Sequence, residues 1–132
     1  MSVLDNPPPR PRPVYLNLVA IRLPIAGIAS ILHRVSGAAL FLFALPLMLL
    51  AVQASLASPE SFAALKAAFA HPLAKLTAIG VVWACLHHFC AGIRYLLIDL
   101  HVGDDLAPAQ RSGAMVIAVS LALTLIVGLR LW

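Results

Sequence analysis

Trp83-Ala84-Cys85-Leu86-His87-His88-Phe89-Cys90-Ala91-Gly92-Ile93-Arg94 lies inside an apolar run long enough to cross a membrane, yet it carries two adjacent histidines. An ionisable side chain in hydrocarbon is costly, so it needs a partner and usually has a task. At helical spacing Gly80, Ala84, His88 and Gly92 fall at i, i+4, i+8 and i+12, on one narrow stripe. That stripe is small everywhere except at His88. Small residues let a backbone or a flat cofactor approach closely, and one imidazole in such a groove can reach a metal. His87 is turned about 100° away, toward Trp83, Ala91 and Arg94. The two histidines are therefore expected to do different things, with His87 hydrogen-bonding between helices.

Working outward, the whole chain has the composition of a membrane protein. Of its 132 residues, 62% are hydrophobic and 11% charged, and the mean hydropathy is +0.98. Soluble domains carry about 25% charged residues. A net charge of +4 invites a nucleic-acid reading, but the basic residues border apolar spans and form no patch on a soluble face, so no nucleic-acid partner is expected. Cys85 and Cys90, five apart, point to different sides of a helix. They make neither a disulfide nor a metal knuckle and are expected to be structural thiols.

The fold expected is all-α and integral to the membrane, with three transmembrane helices at about 29–53, 73–98 and 111–131. Residues 1–28 form an N-terminal arm and an interfacial segment, and residues 29–132 the transmembrane domain. Met1 to Asn17 is rich in Pro and Arg, so it should be extended and lie over another surface. It does not read as a secretory signal, for it lacks a clear small-residue cleavage site. Pro24 should stand near a helix start and Pro46 should kink the first span. Ser58-Pro59-Glu60-Ser61 looks like the start of a short surface helix reaching Phe69. Of the nine Lys and Arg residues, Arg10, Arg12, Arg22, Arg34, Arg94 and Arg111 border one side, and Lys66, Lys75 and Arg130 the other. This asymmetry predicts a cytoplasmic N-terminus and an outer C-terminus.

A second constellation stands at the start of the first span: Ser30-Ile31-Leu32-His33-Arg34-Val35-Ser36-Gly37. Ser30 and Arg34 share a face, with His33 beside them. A hydroxyl donor, a fixed cation and an imidazole at headgroup depth suit a ligand with a polar carbonyl head and an apolar tail, such as a quinone. The plainer alternative is that Arg34 snorkels to lipid phosphate while Ser30 caps the helix.

These turns, together with Arg12-Pro13-Val14-Tyr15-Leu16 and with His88-x-x-x-Gly92-Ile93-Arg94 followed by Asp99, resemble the cytochrome b membrane-anchor subunits of succinate dehydrogenase, part of respiratory complex II. The resemblance covers nearly the whole chain in matching order. It implies that His88 is an axial ligand of haem b iron and that His33 lies near a haem propionate. Ser30, Ile31 and Arg34 would line the site where ubiquinone is reduced. It also implies a bacterial inner membrane and a helical bundle completed by a second anchor subunit, which shares the haem. An iron–sulfur subunit and a flavoprotein subunit would carry the clusters, the flavin and succinate oxidation. This chain has no dinucleotide turn and no cysteine array for those groups. The family often has histidine directly after the Gly-Ile-Arg arginine, where this chain has Tyr95.

The chain offers no second intramembrane histidine at a clearly matched depth on another helix, so the other axial ligand is expected from the partner subunit. A small transporter or channel subunit with a histidine proton relay is the alternative function. It would call for polar residues along a path through the membrane, whereas the third span is almost wholly apolar apart from Ser120 and Thr124.

Overall fold

The computed structural model describes residues 21–132. The arm Met1 to Asn17, with Arg10, Arg12 and the Arg12–Leu16 stretch, lies outside the described residues. Among the described residues the chain forms helices α1 (Ile25–Ala39), α2 (Leu45–Ala57), α3 (Pro59–Ala70), α4 (Pro72–Asp99) and α5 (Leu106–Leu131), with one π turn at Leu40–Ala44. Three lengths are long and apolar enough to cross a bilayer: Ile25–Ala57, Pro72–Asp99 and Leu106–Leu131. The chain is an all-α integral membrane protein.

The helices run past the apolar windows that mark the spans, because capping chemistry decides where they end. Pro24, extended at ψ 154°, is the N-cap of α1. It supplies no side-chain cap, and the Gln110 side chain from α5 provides one instead, accepting from the Ala26 N–H at 3.2 Å. Pro46 cannot donate and crowds the carbonyl four residues back. The widened turn at Leu40–Ala44, where Leu45 N–H reaches the Leu40 carbonyl, takes up that mismatch.

At the opposite end the Ser58 hydroxyl accepts from Ser61 N–H at 3.1 Å and starts α3. The same hydroxyl, followed by Glu60's own backbone N–H, holds the Glu60 carboxyl below the usual carboxylate range. A lowered folded-state pKa means the charged carboxylate favours this helix start at neutral pH, and that help is lost as pH falls through the lowered pKa. His71 caps α4 in turn, its Nδ1 accepting from Leu73 N–H at 3.2 Å. Between α4 and α5, Gly103 turns the chain at φ +75°, a conformation that glycine adopts without strain.

The core is inside out by the standard of soluble proteins. Its buried seam joins Ala84, His87, Ala91 and Arg94 of α4 to Gly113, Val116, Ser120 and Thr124 of α5, with Ala29 and Ser36 of α1 completing it. Large apolar side chains such as Phe41, Phe89 and Leu125 point outward, where lipid tails are as apolar as they are. What the interior needs instead is close approach. A Cβ on Gly113 would stand 3.0 Å from the Ala26 Cα, so α1 and α5 meet backbone to backbone. The first span therefore has two roles: its α1 half lies on α4 and α5, while its α2 half lies on α3.

Candidate functional site

α1 covers part of the small-residue stripe of α4, so the groove expected beside His88 is occupied at this level by α1 itself. Ser36 and Gly37 on α1 face His88 on α4. The His88 Nδ1 lies 3.0 Å from the His33 main-chain carbonyl and 3.4 Å from the Ser36 hydroxyl. A carbonyl can only accept, so Nδ1 carries a proton, and in the neutral imidazole that leaves the lone pair on Nε2. Among the described residues Nε2 makes no hydrogen bond. An imidazole oriented by Nδ1–H on a backbone carbonyl, with Nε2 unprotonated, is the usual arrangement of a metal-ligating histidine. No ring of three or more His, Cys, Asp or Glu that could hold a bare metal ion occurs among the described residues. A single imidazole presented in this way can serve a metal that arrives with its own macrocycle.

His33 lies flat on His88, with ring centroids 4.2 Å apart and planes 17° from parallel. This corrects the expectation that no second histidine shares the depth of His88. Because α1 begins at Ile25 and not near Ala29, His33 sits deeper than a count from the apolar window gives. It is nevertheless no second axial ligand in this arrangement. An imidazole nitrogen binds a metal through a lone pair lying in the ring plane. Two rings stacked face to face, 17° from parallel, do not aim such lone pairs at one another, so this pair could not hold one metal between them. Tyr95 extends the stack, its ring 5.2 Å from that of His33.

Ser30, Ile31 and Arg34 lie on the same two turns of α1, with Ser30 half-buried and Ile31 and Arg34 exposed. No side chain among the described residues bonds the Ser30 hydroxyl or the Arg34 guanidinium. Neither of two apolar cavities, one of 1130 Å³ along α2, α3 and α4 and one of 390 Å³ between α4 and α5, includes these residues. The turn is open on its outer side.

The buried polar side chains of α4, His87 and Arg94, serve the bundle. His87 is fully buried, its Nδ1 lies 3.3 Å from the Ser120 hydroxyl of α5, and its ring stacks on Trp83 at 5.4 Å. His87 and His88 thus part company, as their angular separation predicts. Arg94, near the end of α4, is buried within the bundle and only 7% exposed. Its Nε donates to the Ser112 hydroxyl at 2.8 Å and its Nη2 to the Ala109 carbonyl at 3.1 Å. Cys85 is exposed and not buried, and both cysteines are free. The sequence reading missed the partnership of Ser36 and Gly37 with His88, although both stand in the same turn as His33.

Residues 8–127 match the family described as succinate dehydrogenase/fumarate reductase transmembrane subunit. The succinate dehydrogenase cytochrome b556 subunit of Coxiella burnetii is 36% identical over 122 residues, covering 92% of this chain and 97% of that protein. The subunit of the same name from Paracoccus denitrificans is 32% identical over 115 residues, covering 87% and 88%. That of Rickettsia felis is 30% identical over 116 residues, covering 87% and 89%.

Proposed function

The chain belongs to the succinate dehydrogenase/fumarate reductase transmembrane-subunit family, and on that footing we propose that it is the haem b-holding anchor of a succinate:ubiquinone oxidoreductase. It sits in a bacterial inner membrane with its N-terminus in the cytoplasm. Arg22 and Arg111 stand at the end of the bundle where α1 and α5 begin and α4 ends, with Arg94 in the last turns of α4 and Arg34 further along α1 on that same half. Positive charge favours the cytoplasmic side.

His88 would hold the haem iron from this chain, and His33, stacked on it, would stand where it can meet a haem propionate. A second anchor subunit supplies the other ligand and closes the open side of α1. The observation that best supports this reading is the 3.0 Å approach of His88 Nδ1 to the His33 carbonyl, which presets the tautomer a metal requires. Haem b, when bound, supplies a one-electron redox centre. Flavin, iron–sulfur clusters and succinate oxidation belong to the two soluble partner subunits.

Ser30, Ile31 and Arg34 form this chain's part of the ubiquinone site. Reduction adds electrons to the quinone carbonyl oxygens, and the developing negative charge must be stabilised and then protonated. Arg34 stays charged and donates hydrogen bonds, but it is a poor proton donor. Ser30 can donate to a carbonyl oxygen and pass on a proton from water. Ile31, 44% exposed, offers apolar surface to the ring and tail.

The experiment that tests the haem assignment compares two neighbouring substitutions in the purified complex. His88→Ala should abolish or change the low-spin haem spectrum, while His87→Ala, which loses only a contact inside the bundle, should leave it. The reverse pattern would sink the assignment.

A further inference from the structure

We infer that Ser36 and Gly37 are positioning residues that fix the orientation of the His88 imidazole, Ser36 through its hydroxyl and Gly37 through the absence of a side chain. The inference rests on the reading of His88 as a haem ligand and assigns two residues to which that reading gives no role.

Gly37 acts in two ways. A Cβ built there would stand 2.6 Å from His88 Cε1, 3.1 Å from Nδ1 and 3.6 Å from Nε2, so even a methyl group would collide with the ring. The ring has nowhere cheap to go, because the His33 ring lies on its face at 4.2 Å. Gly37 is also the residue one turn after His33, and on a helix the side chain at i+4 flanks the carbonyl at i. Leaving that side chain out opens the His33 carbonyl to a donor from another helix. The other glycine of the site behaves differently: a Cβ on Gly92 would come no nearer than 4.0 Å to His33 Nε2, an ordinary contact. The requirement for glycine belongs to position 37.

Ser36 is 2% exposed. Its hydroxyl donates to the His33 carbonyl at 3.0 Å, so its oxygen faces the His88 Nδ1–H, 3.4 Å away, as an acceptor. The Nδ1–H is thereby shared between two acceptors, the carbonyl and the hydroxyl. Two anchors on one N–H, a face against His33 and an edge against Gly37 leave the imidazole a single orientation about its Cβ–Cγ bond. The hydroxyl's two bonds act oppositely on ligand basicity. As an acceptor it enriches the ring, and as a donor it weakens the carbonyl's pull on the same proton. Its loss should therefore show mainly in ring orientation.

The test uses the assembled, haem-containing complex with Ser36→Ala, Ser36→Thr, Gly37→Ala and His88→Ala. Ser120→Ala is the control, a buried serine that bonds the neighbouring histidine. The readouts are haem per complex and the largest g-value of the low-spin ferric haem in EPR, which responds to axial ring orientation. Ser36→Ala should keep haem and shift that g-value, Ser36→Thr should restore it, and Ser120→Ala should leave it alone. Gly37→Ala should shift it further or lose at least half of the haem. Should Gly37→Ala fail to assemble, the Ser36 pair decides. Wild-type haem content and g-values in both Ser36→Ala and Gly37→Ala, with haem lost in His88→Ala, overturn this inference alone. An unchanged low-spin haem spectrum in His88→Ala overturns the ligand reading and this inference with it.

Discussion

Arg34 and Ser30 sit one turn apart on the outward side of α1, a cation and a hydroxyl with no partner among the described residues. On the proposed function each donates to charge that appears only during quinone reduction. Removing one such donor costs about 10²–10³ in rate in well-studied cases. Ser30→Ala and Arg34→Ala should each lower quinone reduction by tenfold or more while succinate oxidation with an artificial dye acceptor persists. Normal quinone reductase rates in both variants would reduce this turn to a topology anchor. At this scale the sequence separates His87 from His88 well, because their angular offset on one helix is local geometry. It does not reveal that Arg94 is buried: the Ser112 hydroxyl and Ala109 carbonyl that satisfy it stand on another helix, and periodicity along α4 is blind to them. Ser36 escaped notice for the same reason, since its meaning depends on α1 meeting α4.

Among the helices, contact is governed by the smallest residues. A methyl group on Gly113 would press on the Ala26 backbone at 3.0 Å, whereas one on Gly128 would meet the Ile79 side chain at an ordinary 3.6 Å. Gly113→Ala should therefore lower the thermal stability of the complex in detergent, at a cost of about 1–3 kcal/mol. Gly128→Ala should be neutral or stabilising by up to about 1 kcal/mol, since alanine is the better helix former. Equal effects would show that the α1–α5 approach is looser than the structure indicates. The number and order of the spans are legible from hydropathy, and the start of α3 from Ser58-Pro59-Glu60. Pro24 likewise marks the start of α1, whereas the side chain that satisfies its first turn, Gln110, stands 84 positions away and is not legible there.

For the whole molecule, the question is which end faces the cytoplasm. With the N-terminus inside, a cysteine introduced as Ser61→Cys at the start of α3 should react with a membrane-impermeant maleimide applied to intact cells from the periplasmic side, and Asp104→Cys should not. Labelling of Asp104→Cys alone would invert the topology and put the Ser30–Arg34 turn on the side away from the cytoplasm, against the proposed function. The π turn at Leu40–Ala44 bears on the molecule at this same scale. It works as a phase shifter, setting the angle between the half of the first span that lies on α4 and α5 and the half that seats α3. Deleting one residue within 40–44 would turn the downstream half by about 100° relative to the upstream one. The imidazole cradle would survive that deletion, while α3 would lose the face it rests on. Insertions and deletions in the first span are therefore constrained by rotation as well as by length.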